Sequence, residues 1–495
     1  MTESLRAKTA KNIGYNTGAK FFAMAVQAVA TIVLARLLLP SDYGIVGFAG
    51  IFIAFLNQFN DMGINGAATR RLTLSDDQLY TGFTIKFIMG MTLFFVTFLG
   101  APLAKLFFDN PVIVDVVRVC SLQYLINFFQ FIPWVKLTRD LDFKTLALIG
   151  MAANIATSLM AIILAYSGFS FWSLVIANLF TMVCSVALMN FVKPVRIKFC
   201  IDSSVAMEFF HFGSNLFLTG LLAFAILNVN NFIVGALKGA TVLGYYNLAA
   251  NWGSMVFTVV IGVVMSVLNP TFARIQTDRP KMKTIFLQGL GYVTLIVALL
   301  NITLFVTASE FLCFVLGKGT DKWLPAVISF QILCLFGILR TMIYMVAPVF
   351  LAVGKTRIFL VSDLLVAVVQ LSLVYPVLKF YSIEGLALLL LGVTFLQLPV
   401  YIPGLRREID VSWQEMLAVT WPSFLASLVV FFVFSTWKNI FAYSLTGFFE
   451  KGIAAAVIFI VVHTLATKGR YFSEFRGILS DMGIIRITGS GGNVI

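Results

Sequence analysis

Charge is what this sequence has least of. Only 12% of its residues are Asp, Glu, Lys or Arg, against 60% hydrophobic residues and 50 phenylalanines in 495 positions, which leaves too little polar surface to clothe a soluble domain. Histidine is nearly missing: His211 and His463 are the two, and neither belongs to a cluster with metal-ligand or acid–base spacing. The five cysteines, Cys120, Cys184, Cys200, Cys313 and Cys334, lack the close spacings of metal and redox sites and read as packing residues. No GxxxxGK[ST] loop occurs, and the "GSGG" near the end lies in a polar tail, which argues against ATP hydrolysis by this chain. No catalytic residue, metal site, cofactor or nucleic-acid partner is expected.

What the sequence does have is a succession of apolar stretches of about 20 residues, the length an α-helix needs to cross ~30 Å of hydrocarbon. Barrel strands would instead alternate over ~10 residues. The chain therefore reads as an all-α integral membrane protein. About fourteen spans fit, near 14–38, 43–66, 80–102, 111–133, 144–167, 169–192, 208–237, 241–268, 284–308, 323–349, 358–380, 384–404, 418–437 and 448–467. The segment "LAKLFFDNPVI" at 103–113 has an interfacial alternative. The first span follows basic residues like a signal peptide, but its apolar part outruns the usual h-region of ~7–15 residues, so a retained helix is expected. With the N-terminus inside, 23 of the 35 Lys and Arg fall on the inner side, 8 on the outer side and four within spans. Both termini are thus expected in the cytoplasm, and the net charge of +13 reflects topology rather than nucleic-acid binding.

The two halves resemble each other. "GYNTGAKFF…LARLLLPSDYGIVGFAG" from Gly14 parallels "GSNLFLTGL…VGALKGATVLGYYNLAA" from Gly213, with Gly44 and Gly244 almost equally spaced from their starts. "RDLDFKTLALIG" leading to "YSGFSFWSLV" corresponds to "GKTRIFLVSD" leading to "YSIEGLALLL". A duplicated six-helix unit keeps both copies in the same orientation, so the pseudo-two-fold axis runs along the membrane normal. The expected organisation is an N-lobe over 1–200 (helices 1–6), a C-lobe over 201–405 (helices 7–12), two accessory helices over 406–470 and a cytoplasmic tail over 471–495.

"LARLLLPSDYGIVGF", the polar "DMGINGAATRR" closing helix 2, and "GYYNLAANW…NPTFARIQTD" resemble the polysaccharide transport family of oligosaccharide flippases, of the colanic-acid-exporter type. That family lies within the multidrug/oligosaccharidyl-lipid/polysaccharide exporter superfamily. The likeness covers roughly residues 5–405. It departs at Asn269–Pro270, where the family commonly has Phe before the proline. The resemblance implies a bacterial inner-membrane, multi-pass transporter. It would move an undecaprenyl-diphosphate-linked oligosaccharide from the cytoplasmic to the outer leaflet for exopolysaccharide or surface polysaccharide biosynthesis. Further partners would be a polysaccharide polymerase and a chain-length regulator.

The four cations within spans are Lys20, Lys86, Arg118 and Arg340. Lys20, Lys86 and Arg340 fall in the inner half, where a lipid-facing charge is costly and a water-filled cleft would offer an anionic head group its partners. Lys20 and Lys86 can alternatively snorkel to the interface. Arg340, deeper, is either a cavity residue or the partner of a buried acid such as Asp363 or Asp115. Arg118 lies three residues after Asp115, a spacing that suits an intrahelical ion pair or leaves Arg118 as an outer-side phosphate contact. Asn228 and Asn231 share a face of helix 7, with Asn230 off it, and amides of this kind bind sugar hydroxyls or glue helices together; Gln27 carries the same ambiguity. Asp363 is a candidate for H⁺ or Na⁺ coupling, or for an interfacial pair with the nearby "KTR". A lipid II flippase shares the diphosphate logic. A drug/cation antiporter of the same superfamily would want intramembrane carboxylates, and a membrane glycosyltransferase or polymerase would want a carboxylate-rich loop or a large extramembrane domain.

Overall fold

The computed structural model describes residues 23–71, 74–436 and 441–469. These residues are helical throughout, without strands: α1 (Ala23–Leu37), α2 (Pro40–Asp61), α3 (Ile64–Arg70), α4 (Asp76–Gly100), α5 (Ile113–Ser121), α6 (Gln123–Asn127), α7 (Phe131–Arg139), α8 (Phe143–Tyr166), α9 (Trp172–Val192), α10 (Ser203–Arg274), α11 (Arg279–Val306), the single turn α12 (Ala308–Glu310), α13 (Val327–Tyr344), α14 (Ala347–Ala352), α15 (Arg357–Phe380), α16 (Ile383–Ile409), α17 (Trp413–Thr436) and α18 (Leu445–Ala466). The starts obey local chemistry. Pro40 opens α2, where its missing N–H costs nothing. Ser75 and Gln78 form a reciprocal capping box on α4, and the Asp142 side chain takes the N–H of Thr145 at 3.2 Å on α8.

Eleven helices among the described residues are long and apolar enough to cross a membrane, against about fourteen spans expected, and three places account for the difference. The first span is described only from Ala23, as the shorter apolar helix α1. The spans expected at 208–237 and 241–268 are two helices joined end to end within α10 and separated at Gly239, whose φ of 80° and ψ of −176° suit only glycine, so they count once among the eleven. The span expected at 111–133 is instead a broken series, α5 to α7, with a 3₁₀ turn at Phe128–Gln130. Pro133 explains part of that break. It has no N–H to give the carbonyl of Phe129, and Asn190 of α9 donates to that oxygen instead, at 3.1 Å.

The structure divides into two compact units. The first runs to Leu248 and adds Val315–Ala326 and Gln370–Leu386; the second holds Ala249–Phe314, Val327–Val369 and the chain from Ala387 onward. Within the first unit, Gly44 of α2 lies against the carbonyl of Ala240, and Gly244 of α10 against the carbonyl of Pro40, so that a Cβ on either glycine would overlap the oxygen. Each glycine thus meets the residue four positions before the other, a reciprocal crossing at the two positions matched in the sequence repeat. The adjoining segment 315–326 seals the turn from α1 to α2. Lys322 Nζ donates to the carbonyls of Arg36 and Leu38 at 2.9 and 3.0 Å, and the Trp323 indole donates to Ala35 at 3.0 Å. These contacts satisfy carbonyls that a helix end leaves without partners, with positive charge where the helix dipole favours it.

The second unit is built on α11, whose Phe286, Leu290 and Val297 are fully buried. The last two helices, α17 and α18, pack directly on α11, and Lys451 of α18 reaches Glu310 at 2.9 Å. On the side where the sequence places the cytoplasm, each unit carries its own ion pairs: Arg71 with Glu208 and Lys198 with Asp77 in the first, Lys283 with Glu415 and Lys355 with Glu408 in the second. Hydrogen bonds from Ser204 hold the exposed Asp202 carboxyl, which opens α10, below its ordinary pKa.

Candidate functional site

The polar residues of the first unit converge on a cavity of about 340 Å³, within the ~300–1,000 Å³ range of small-ligand sites. Four parts of the fold line it. The C-terminal end of α2 and the following α3 supply Asn57, Asn60 and Asn65, α4 supplies Lys86, the broken α6–α7 series supplies Gln123, Asn127, Gln130, Phe131 and Trp134, and α9 supplies Met182. Gln123, Asn127, Gln130 and Trp134 follow one another at intervals of four, three and four residues, which puts them along one face of a helix. Behind that face, Phe131, Ile132 and Val135 pack with Phe83 of α4 and Phe209 of α10 in a buried apolar cluster, which fixes the polar stripe towards the cavity.

The site is amide-rich and poor in charge. Lys86 is the one ionisable side chain among the described residues that line it. It is 5% exposed, and its ammonium donates to the backbone carbonyl of Asn60, tying α4 to the C-terminal end of α2. The side chains of Asn57, Gln123, Asn127 and Gln130 make no hydrogen bond to any described residue. Within a bundle of apolar helices, four amides with open donors and acceptors ask for a polar occupant. Sequence reasoning found Lys86 and missed these amides, because charge was the property weighed; the four–three–four stripe was the available signal.

The other expected site residues are dispersed. Lys20 lies outside the described residues. Arg118 forms no ion pair with Asp115; its guanidinium sits 5.2 Å from the Phe98 ring, and its Nε is buried without a hydrogen-bond partner. The spacing of three residues permitted the pair, but aromatic packing holds the side chain instead. Asn228 donates to the Phe224 carbonyl of its own helix at 3.0 Å, and Asn231 bonds to no described residue. Asn230, on the other face, is the interhelical amide: it is 6% exposed and accepts from Gln370 Nε2 at 2.9 Å.

In the second unit, Arg340 of α13 is half-buried in an aromatic cage. Its guanidinium carbon lies 5.3, 5.1 and 5.0 Å from the ring centroids of Phe257, Phe336 and Tyr344, and it donates to the Tyr344 hydroxyl at 3.0 Å. It makes no ion pair with a described acid, neither Asp363 nor Asp115. Asp363 on α15 is exposed and does not pair with the "KTR" segment, whose Lys355 is taken by Glu408. Arg340 therefore keeps most of its five donors open on a rigid fork that suits a planar or tetrahedral anion.

The profile of the family described as "Polysaccharide biosynthesis protein" matches residues 33–328, more than half of the chain, and the chain belongs to that family. It is 24% identical over 346 residues to the lipopolysaccharide biosynthesis protein WzxC of Escherichia coli K12, covering 68% of each chain. To the succinoglycan biosynthesis transport protein ExoT of Rhizobium meliloti 1021 it is 24% identical over 325 residues, covering 64% of this chain and 65% of that one. A solved structure of the lipid II flippase MurJ in an inward closed conformation is similar with a TM-score of 0.73 at 12% identity, over 91% of this chain and 98% of that one. That last likeness concerns the fold.

Proposed function

We propose that this member of the polysaccharide biosynthesis protein family is a transporter that moves an undecaprenyl-diphosphate-linked oligosaccharide from the cytoplasmic to the outer leaflet of the bacterial inner membrane by alternating access. The observation that carries this reading is a polar cavity lined by amides and a buried ammonium among membrane-crossing helices. Such groups are costly in hydrocarbon and mark a polar pathway. Two further features support it: Arg340, a guanidinium without an acid partner among the described residues, and relatives whose names place them in lipopolysaccharide biosynthesis and succinoglycan transport. In this reading the lobes of residues 1–200 and 201–405 rock to change the side of access, the helices over 406–470 brace the second lobe, and both termini lie in the cytoplasm. Arg340 grips the diphosphate, Asp363 and Asp115 are candidates for ion coupling, and a polymerase with its chain-length regulator consumes the product outside.

The test is a flipping assay in proteoliposomes with a fluorescent undecaprenyl-diphosphate-linked saccharide. Two charge-assisted hydrogen bonds are worth about 1.5–3 kcal/mol each. Arg340→Ala is therefore expected to slow flipping roughly a hundredfold and Arg340→Lys about tenfold, with unchanged folded yield. Wild-type flipping by Arg340→Ala would remove the diphosphate role.

A further inference from the structure

The cavity of the first unit and the cage of Arg340 offer different chemistry, and that difference assigns a ligand to the cavity. A diphosphate diester carries two negative charges and is held best by several cations or by a bidentate guanidinium. Among the described residues the cavity lining has one cation, Lys86, whose ammonium is already engaged by the Asn60 carbonyl, and no arginine. What it presents instead are neutral groups that both donate and accept, the complement of hydroxyl and acetamido groups. Trp134 adds an aromatic face and an indole N–H that bonds to no described residue; an aromatic surface beside directional polar groups suits the mixed C–H and O–H faces of a pyranose.

We infer that the cavity is a glycosyl subsite: Gln123, Asn127 and Gln130, with Trp134 at the end of their stripe and Asn57 across from them, bind one or two sugar rings of the transported lipid. Lys86 acts here as a positioning residue, holding Asn57 and Asn60 in place through its bond to α2. The inference rests on the flippase reading and deepens it by saying which part of the lipid the first unit reads. Amides that line a cavity and have no partner among the described residues can exchange the water that solvates them for the hydroxyls of a sugar within hydrogen-bond reach.

The test compares binding of four lipids to the purified full chain in nanodiscs by native mass spectrometry: undecaprenyl diphosphate without sugar, and its glucosyl, galactosyl and N-acetylglucosaminyl forms. At least one glycosyl lipid is expected to bind roughly tenfold more tightly than the sugar-free lipid, the worth of about two neutral hydrogen bonds. Gln123→Leu with Asn127→Leu, which replace the amides by apolar branched side chains, should erase that preference and leave sugar-free binding and the thermal transition unchanged. Trp134→Phe, which keeps an aromatic face, should retain part of it; Trp134→Ala should not. Equal binding of all four lipids by the wild type would overturn the subsite while leaving the transporter reading in place. Equal weakening of every lipid in the double variant, or a preference that survives it, would also overturn the subsite. Failure of all four lipids to bind would overturn the reading on which it rests.

Discussion

Two sets of amides lie in the helices of the first unit, and they differ in one respect. On α10, Asn228 and Asn230 are satisfied by protein: Asn228 by its own helix, Asn230 by Gln370, which also donates to the Ile226 carbonyl at 3.2 Å. On the α6–α7 series, Gln123, Asn127 and Gln130 have no partner among the described residues and line a cavity. The first set is spent on protein, Asn230 on a bond between helices and Asn228 on its own helix, and the second is open to a ligand. Residue type does not separate the two roles. The separation comes from whether a neighbouring helix brings a carbonyl or amide within reach.

Variants can sharpen or break this contrast, read as equilibrium unfolding in mixed micelles beside transport per folded molecule. Asn190→Leu should cost most, about 1–3 kcal/mol, because it leaves the Phe129 carbonyl without the donor that replaces the missing N–H of Pro133; a neutral result would mean that water serves that carbonyl equally well. Gln370→Leu should cost less, about 0.6–1.7 kcal/mol, the span measured for interhelical hydrogen bonds in membranes, and should leave transport intact. A transport defect at unchanged stability would move Asn230 and Gln370 into the ligand set. Asn231→Leu, an amide with no described partner that does not line the cavity, should change stability by no more than ~0.5 kcal/mol and transport not at all.

Much of this was legible in the sequence, for identifiable reasons. Hydropathy and span length alone dictate a helical membrane protein, since backbone groups in hydrocarbon must pair within a helix. The Gly44–Gly244 match reads in the sequence as a mark of the repeat, which does not foretell the contact it makes: both positions need a missing Cβ where two helices cross. The broken span was less legible. Pro133 was visible, but its consequence depends on Asn190, 57 positions later in the chain. Among site residues, charges drew notice because their cost in lipid is large. The ion pair expected from the spacing of Asp115 and Arg118 is not made, since Phe98, from another helix, takes the guanidinium. The amide stripe at Gln123, Asn127, Gln130 and Trp134 had its periodicity in plain view, yet without the cavity it was indistinguishable from interhelical glue of the kind Asn230 supplies.

In the proposed function the chain carries a sugar-bearing diphosphate lipid across the bilayer and reads the sugar as well as the diphosphate. The most direct measurement offers wild-type proteoliposomes equal amounts of sugar-free and glycosylated undecaprenyl diphosphate, taking the glycosyl form preferred in nanodiscs, and follows both lipids to the opposite leaflet in one reaction. The account predicts movement well above that in protein-free liposomes, with the glycosylated lipid favoured about tenfold, as two neutral hydrogen bonds would give. Flipping no faster than in protein-free liposomes, or equal rates for the two lipids, would contradict it.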